Sequence, residues 1–391
     1  MIKIVLKPGK AQSLKRFHPW IFSGAFKKIP DGVHEGDPVE VFSSENEKLG
    51  TGHYHSGSIA VRMLAFGNEK LTRTFWRSKI EKCLRLREGI GLAGSSHTNV
   101  YRLVNAEGDD MPGLIIDYYN GTAVMQAHSA GMHRIRRELA ANLREVMGDS
   151  LTSVYYRGMH GIPVIKENEY SEYLSGSPSS NIVEEHGNRF TIDWVGGQKT
   201  GFFTDQRENR KLLGQYSRDK NILNMFGYTG GFSVYALEGG ARLVHTVDSS
   251  AKAIKMADEN VALNFESGMR HKAFCMEAFD FFSDCKEGYD IVILDPPAFA
   301  KGMRARNNAL RAYMRLNSKA FEMIVPGGLL FTFSCSQVVG RDQFRQAVYS
   351  AAIQSSRDIK ILHQLSQPAD HPVSIYHPEG EYLKGLVLQV I

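Results

Sequence analysis

From Asn221 onward, short apolar runs alternate with helical patterns, and this alternation restricts the fold more than any other feature of the chain. The runs are Ile222 to Met225, Leu243 to Val247, Ala273 to Met276, Ile291 to Leu294, Leu329 to Phe333, Ile359 to Leu365 and Leu386 to Ile391. Strands separated by helices bury both faces of a sheet, so a doubly wound, mostly parallel α/β fold is expected. In such sheets ligands bind beyond the carboxyl ends of the strands. Whatever follows each run is therefore a candidate for chemistry.

The first seventy residues read differently. Turn signals recur at Pro8-Gly9, Pro30-Asp31-Gly32 and Glu35-Gly36-Asp37, with β-rich runs such as Val39 to Phe42 and Ile59 to Leu64 between them. A small β-barrel or sandwich follows. Leu71 to Leu86 is helix-like and basic, carrying Arg73, Arg77, Lys79, Lys82 and Arg85. Strands near Tyr101 to Val104, Leu114 to Tyr119 and Thr122 to Ala127, with a helix over Met132 to Val146, make a second α+β unit. Tyr170 to Asn181 reads as an exposed loop or linker. A chain of 391 residues is long for one domain. Three are expected: a barrel over 1–70, an α+β domain over 71–185 and the α/β domain over 186–391.

Apolar residues make up 42% and charged residues 23%, which places the chain among globular proteins. A net charge of +5 permits nucleic-acid binding without demanding it. The cysteines are Cys83, Cys275, Cys285 and Cys335, and none forms a C-x-x-C pair. Scattered cysteines, no signal-peptide pattern and no membrane-length apolar run lead to the expectation of a soluble cytoplasmic protein. His53 and His55 alternate along a strand with no third ligand nearby, so no metal is expected.

The first α/β strand runs into Phe226-Gly227-Tyr228-Thr229-Gly230-Gly231-Phe232 and then a helix. Glycines at a strand-to-helix turn let the backbone approach a ligand, although a tight turn alone also uses them. The second strand ends at Asp248, which can accept hydrogen bonds from ribose hydroxyls or cap the helix over Ser249 to Asn260. The third leads into Glu277, an acceptor for an adenine amino group. Together these point to adenosine binding. The spacing is not G-x-G-x-x-G, which leaves room for S-adenosylmethionine.

Two further strand ends carry reactive groups. Asp295-Pro296-Pro297-Ala298-Phe299 places a carboxylate before two residues with fixed φ and no backbone donor. Phe333-Ser334-Cys335-Ser336 delivers a thiol to the same edge. A strand-terminating turn and an inert buried cysteine are the plainer readings. The pair also suits one reaction. Carbon 5 of cytosine accepts a methyl group only after a nucleophile adds at carbon 6, and an acid at ring nitrogen 3 stabilises that adduct. Cys83, Cys275 and Cys285 have no such setting and read as structural.

With these residues in view, the chain resembles the RlmI family of bacterial ribosomal RNA large-subunit cytosine-C5 methyltransferases. The likeness spans nearly the whole length. Arg16 to Gly24 resembles the opening of that family's PUA domain, a small RNA-binding barrel. Asn105 to Asp109 with Pro112-Gly113-Leu114 resembles a signature of its central domain. Lys199 to Arg207 resembles the segment entering the methyltransferase domain. The resemblance implies a PUA-like barrel, a central α+β domain and a C-terminal Rossmann-type class I methyltransferase domain. It implies Cys335 as nucleophile and Asp295 as its partner. It also implies that Phe202, Asp205, Gln206, Arg207, Asn224, Phe226, Gly227, Thr229, Gly230, Asp248, Glu277 and Asp295 surround S-adenosylmethionine. Two positions depart from the family pattern: Glu277, where Asp is commoner, and Ala298, where Lys is expected.

For RNA, the candidates beside Pro296, Pro297 and Phe299 are Lys301, Arg304, Arg311 and Arg315, the last two sharing a four-residue stripe with Lys319. Arg16 and His18 are candidates in the barrel. Trp20 is either a stacking surface or barrel core. The expected activity is formation of 5-methylcytosine in RNA, with ribosomal RNA as partner. The alternatives are methylation of a base nitrogen such as guanine N2, which needs no thiol, and a non-catalytic RNA-binding assembly factor. Exposed edges in the central domain leave room for a homodimer.

Overall fold

The structure is a computed structural model and describes residues 1–158, 171–178, 180–266, 270–285, 287–300 and 302–391. The chain divides into two compact units. Unit 1 comprises Met1–His186, Ile192–Thr204 and Ala369–Gly380; unit 2 comprises Gly187–Thr191, Asp205–Pro368 and Glu381–Ile391.

Unit 1 opens with a sheet of β1 (Ile2–Val5), β2 (Trp20–Phe22), β3 (Pro38–Phe42), β4 (Lys48–Tyr54) and β5 (Ile59–Phe66), with the short helix α1 (Gln12–Lys15) after β1. The strand order is β1-β3-β4-β5-β2, with only β1 and β3 parallel. Alternate side chains such as Val39, Val41, Val61 and Met63 are buried together with Ile4, Leu6 and Ile21. This is the half-buried pattern that period-2 sequences produce.

The second sheet of unit 1 holds β6 (Val100–Asn105), β7 (Leu114–Tyr119), β8 (Thr122–Ala127), β9 (Ser153–Arg157) and β10 (Ser171–Gly176) in the order β10-β9-β8-β7-β6. The helices α2 (Arg73–Gly89), α3 (Ala130–Arg134) and α4 (Arg136–Met147) belong to this part, as does the strand β11 (Ile182–Glu185). Their apolar faces share one core with the sheet, including Trp76, Ile80, Leu103, Ile116, Leu139 and Leu143.

Two expectations are corrected here. Of the loop expected over Tyr170 to Asn181, Ser171–Gly176 is strand β10, paired antiparallel with β9; Tyr170 and residue 179 lie outside the described residues. An edge strand faces water on most of its surface, so its serines and glutamate resemble a loop, while Tyr173 packs on Tyr155 at 4.9 Å. The single helix expected over Met132 to Val146 is two. Ile135, at φ −95° and ψ 9°, ends α3 and begins α4.

Unit 2 contains β12 (Asn188–Thr191), α5 (Arg207–Tyr216), β13 (Asn221–Met225), α6 (Gly231–Glu238), β14 (Leu243–Asp248), α7 (Ala251–Asn264), β15 (His271–Cys275), α8 (Ala278–Asp284), β16 (Tyr289–Leu294), α9 (Arg306–Met323), β17 (Ile324–Ser334), α10 (Arg341–Ser355), β18 (Ile359–Leu365) and β19 (Lys384–Val390). Seven of these strands form one sheet in the order β15-β14-β13-β16-β17-β19-β18. The strands β13 to β17 are parallel, and β19 runs antiparallel to both of its neighbours. Two apolar clusters lie within the unit, one including Val292, Leu294, Tyr313 and Phe344 and the other Ile291, Ile293, Phe331 and Phe333. Alternate residues of β16 go to opposite clusters, which accounts for its continuous apolar sequence. The order reverses between β13 and β16, and the carboxyl ends of strands at such a switch point form a crevice.

Candidate active site

The β13–α6 turn is built on unusual backbone. Phe226 and Tyr228 adopt φ of 58° and 44°, and Gly230 adopts 77°. The left-handed region is costly for Phe and Tyr, and such strain concentrates where a loop is shaped for a ligand. A Cβ on Gly227 would lie 2.4 Å from Thr246 Cγ2, so only glycine lets the turn close on β14. The Asn260 side chain donates to Thr229 O at 2.9 Å and ties the turn to α7.

Asp248, half-buried at the end of β14, accepts from the Tyr228 amide at 3.0 Å and from the Ser250 amide at 2.9 Å. It therefore links the β13 and β14 loops. The helix cap is not Asp248 but Ser250, whose hydroxyl accepts from the Ala253 amide. Glu277 precedes α8 with its exposed carboxylate making no cap bond. Asn224 at the end of β13 donates to Ser233 Oγ, and its buried Oδ1 has no hydrogen-bond partner. An orphaned buried carbonyl oxygen calls for a donor from outside the fold. Together with the glycine turn and the carboxylates at the ends of β14 and β15, this fits an adenosine-type ligand.

The neighbouring segment is held firmly. Asp205 accepts from the Tyr382 hydroxyl at 2.7 Å, and Gln206 accepts from Asn209 at 2.6 Å. Arg207, the first residue of α5, is buried. Phe202 is also buried, and it belongs to the Ile192–Thr204 segment of unit 1.

The two reactive motifs, far apart in sequence, meet at the ends of β16 and β17. Cys335 Sγ lies 3.9 Å from Pro296 O, and Ser336 Oγ donates to Ala300 O at 2.8 Å. Asp295 and Cys335 are half-buried, Pro296 is buried and Pro297 is exposed. Phe299 packs on Tyr313, with ring centroids 4.8 Å apart. Both motifs thus lie at the same edge of the sheet as the β13 turn.

Sequence reasoning missed two residues here. Tyr313 of α9 is fully buried, and its hydroxyl makes no hydrogen bond. Burial, with Cys335 and Asp295 adding negative charge, pushes its ionisation up to about 12. Lys384 of β19 is 4% exposed and donates to Ser336 O at 2.7 Å. A lone lysine within the run Tyr382 to Ile391 was the available signal, since lysines are rarely buried without a partner.

The other cysteines differ from Cys335. Cys83 is buried, and burial pushes its thiol up. Cys285 lies 3.5 Å from the Tyr289 hydroxyl, and Cys275 is exposed at the sheet edge. Among the described residues no group of three potential metal ligands is present, and no helix is long and apolar enough to cross a membrane.

The basic candidates are placed variously. Arg304, Arg311 and Arg315 are exposed along α9 and the turn before it, with Arg311 bonded to Asn308 at 2.6 Å and Arg315 stacked 5.2 Å over Phe279. Lys301 lies outside the described residues. Arg16 is exposed. His18 is half-buried and accepts from the Trp20 amide at 3.1 Å. Trp20 is half-buried too: its indole donates to Glu107 at 2.8 Å and its ring lies 4.3 Å from that of His377. Its role within unit 1 is packing.

Comparison with known proteins agrees with this geometry. Residues 137–379 match the S-adenosylmethionine-dependent methyltransferase family, and residues 4–66 match the PUA-like domain. The chain is 37% identical to the ribosomal RNA large subunit methyltransferase I of Alteromonas mediterranea, over 99% of this chain and 98% of that one. The protein of the same name from Pseudoalteromonas atlantica is also 37% identical, over 100% and 99%. Among solved structures, a Streptococcus mutans protein assigned as a SAM-dependent methyltransferase superimposes with a TM-score of 0.86 at 23% identity, each chain covered fully. A protein assigned as a methyltransferase and complexed with SAH gives 0.88 at 24%, again with full coverage. These two likenesses establish the fold. Match length and identity establish more: with S-adenosylmethionine as its cofactor, the chain belongs to the ribosomal RNA large subunit methyltransferase I family of PUA-containing, S-adenosylmethionine-dependent methyltransferases.

Proposed function

We propose that this protein methylates carbon 5 of a cytosine in ribosomal RNA through a transient bond between Cys335 and carbon 6 of the base. The names of the relatives support ribosomal RNA as substrate. The observation that carries the cytosine reading is the junction of Cys335 with the Asp295-Pro296 turn, at 3.9 Å from Sγ to Pro296 O. Methylation of a base nitrogen needs the carboxylate and prolines but no thiol.

S-Adenosylmethionine supplies an electrophilic methyl group when bound. The residues that would hold it are Asn224, Phe226, Gly227, Thr229, Gly230, Asp248 and Glu277, with Asp205, Gln206 and Arg207 from the preceding segment. The Cys335 thiolate adds to carbon 6, and the electron pair of the 5,6 double bond moves toward carbon 5. The Asp295 carboxyl holds a proton at ring nitrogen 3, which stabilises the charge of the adduct. Once carbon 5 carries the methyl group, a base takes the carbon 5 proton, the carbon 6–sulfur bond breaks to release the thiolate, and the 5,6 double bond is restored. Pro296 and Pro297 keep the carboxylate in place by fixing φ. Arg304, Arg311 and Arg315 supply phosphate contacts, with Lys301, Phe299, Arg16 and His18 as further RNA contacts.

The test is methyl transfer to ribosomal RNA with the product nucleoside identified by mass spectrometry. The wild type should give 5-methylcytidine and Cys335→Ala none. Unchanged methylation by Cys335→Ala, with the label on a base nitrogen, would overturn the reading. S-Adenosylmethionine binding without any transfer would favour an assembly role.

A further inference from the structure

The pairing of β17 with β19 places Lys384 opposite Ser334, one residue before the thiol. Its ammonium is turned to the same segment, donating to Ser336 O at 2.7 Å. The residue is buried, being 4% exposed. A carbonyl satisfies one of its three N–H donors but supplies no countercharge. Burying an uncompensated ammonium is costly, so an anion is required nearby.

We propose that Lys384 is a positioning residue for the reactive thiol, forming with Cys335 an ammonium–thiolate pair that keeps the nucleophile ionised near neutral pH. The thiol proton leaves to water, and Nζ remains an ammonium.

The surroundings favour this assignment. Burial pulls the Lys384 ammonium down to about 8, and negative charge on Cys335 is the strongest influence opposing that fall. Glu381, just before β19, acts in the same sense more weakly, and Arg341 at the start of α10 opposes both. Glu381 is already engaged by Arg341, whose Nη2 donates to it. Tyr313 of α9, held neutral up to about 12, also feels the charge of Cys335 and of Asp295. Among the described residues, Lys384 is the buried lysine on the strand beside Cys335. A cysteine beside a lysine ionises more readily, and the thiolate is the nucleophilic form.

This inference rests on the cysteine reading above, yet its test does not depend on methylation. Alkylation of Cys335 by iodoacetamide is followed against pH by mass spectrometry of the Cys335 peptide, which separates it from Cys275 and Cys285. Wild type is compared with Lys384→Met and Lys384→Arg. Lys384→Met should slow alkylation at pH 7 by about tenfold, the equivalent of a midpoint raised by about one unit. Lys384→Arg should recover most of the rate, because the cation is kept. An unchanged midpoint in Lys384→Met, with a wild-type circular dichroism spectrum, would overturn the pair. If Lys384→Met fails to fold, Lys384→Arg decides alone: its midpoint, like that of wild type, must lie below that of Cys275 in the same digest, and a midpoint no lower sinks the proposal. Should Cys335→Ala retain methylation, the cytosine mechanism fails while the alkylation profiles still judge the pair.

Discussion

Single residues divide the proposed chemistry among them. Asp295→Asn keeps the shape of the turn and removes the exchangeable proton, so methylation should fall by about a hundredfold or more while S-adenosylmethionine binding changes much less. Single-turnover kinetics beside calorimetry separates these; equal losses in both would instead make Asp295 a cofactor contact. A second residue governs stability in unit 1. His53 is buried, stacks on Trp76 and has no hydrogen-bond partner at Nδ1; burial pulls it down to about 4. Between the ordinary histidine value near 6.5 and about 4, the unfolded chain binds the extra proton. Stability should therefore fall as pH drops through that window, by roughly 3 kcal/mol at most, and level off below it. Denaturant titrations of His53→Phe should lack this component. The junction of the Asp295 and Cys335 motifs was legible from their places after apolar runs. Lys384 and Tyr313 were not, because their roles depend on which strand and helix are brought beside Cys335, and strand order is not written in local sequence.

At the scale of elements, the β13–α6 turn and α9 make separate claims. Gly230→Ala must adopt φ near +77° and place a Cβ 3.0 Å from that of Ala257. The cost should be about 1–2 kcal/mol, with weaker S-adenosylmethionine binding in calorimetry. Wild-type affinity and stability would show that the turn tolerates a side chain. On α9, Arg311 and Arg315 are exposed while Tyr313, Leu316 and Phe321 are buried. Replacing both arginines by alanine should weaken RNA binding across sequences and flatten the salt dependence by about 0.7–0.9 per lost phosphate contact. An unchanged slope would return this stripe to the role of a solvated helix face. Parallel strands were readily found because both faces are buried and their sequences are continuously apolar. The edge strand β10 was not, because its surface is polar.

For the whole molecule, the notable fact is that each unit is discontinuous in sequence. Unit 1 includes Ala369–Gly380, which follows the sixth strand of the large sheet of unit 2 in chain order. The fully buried Arg87 shows how that late segment is held: it donates to both oxygens of Asp109 and to Asp370 O, each at 2.7 Å. Arg87→Met would leave Asp109 buried without its countercharge, so unit 1 should lose about 3–5 kcal/mol in chemical denaturation. A loss below about 1 kcal/mol would mean that water replaces the pair. This excursion was invisible in sequence, because a twelve-residue segment with two prolines and two histidines looks like any surface loop.

The central claim is that Cys335 attacks carbon 6 of cytosine. Its most direct test is incubation of ribosomal RNA containing 5-fluorocytosine with the protein and S-adenosylmethionine, since fluorine at carbon 5 cannot leave as a proton and traps the adduct. The account predicts a denaturation-resistant protein–RNA complex in the wild type, absent in Cys335→Ala, with the cross-linked peptide containing Cys335. Catalytically active protein that forms no such complex, or a complex that persists in Cys335→Ala, would contradict it.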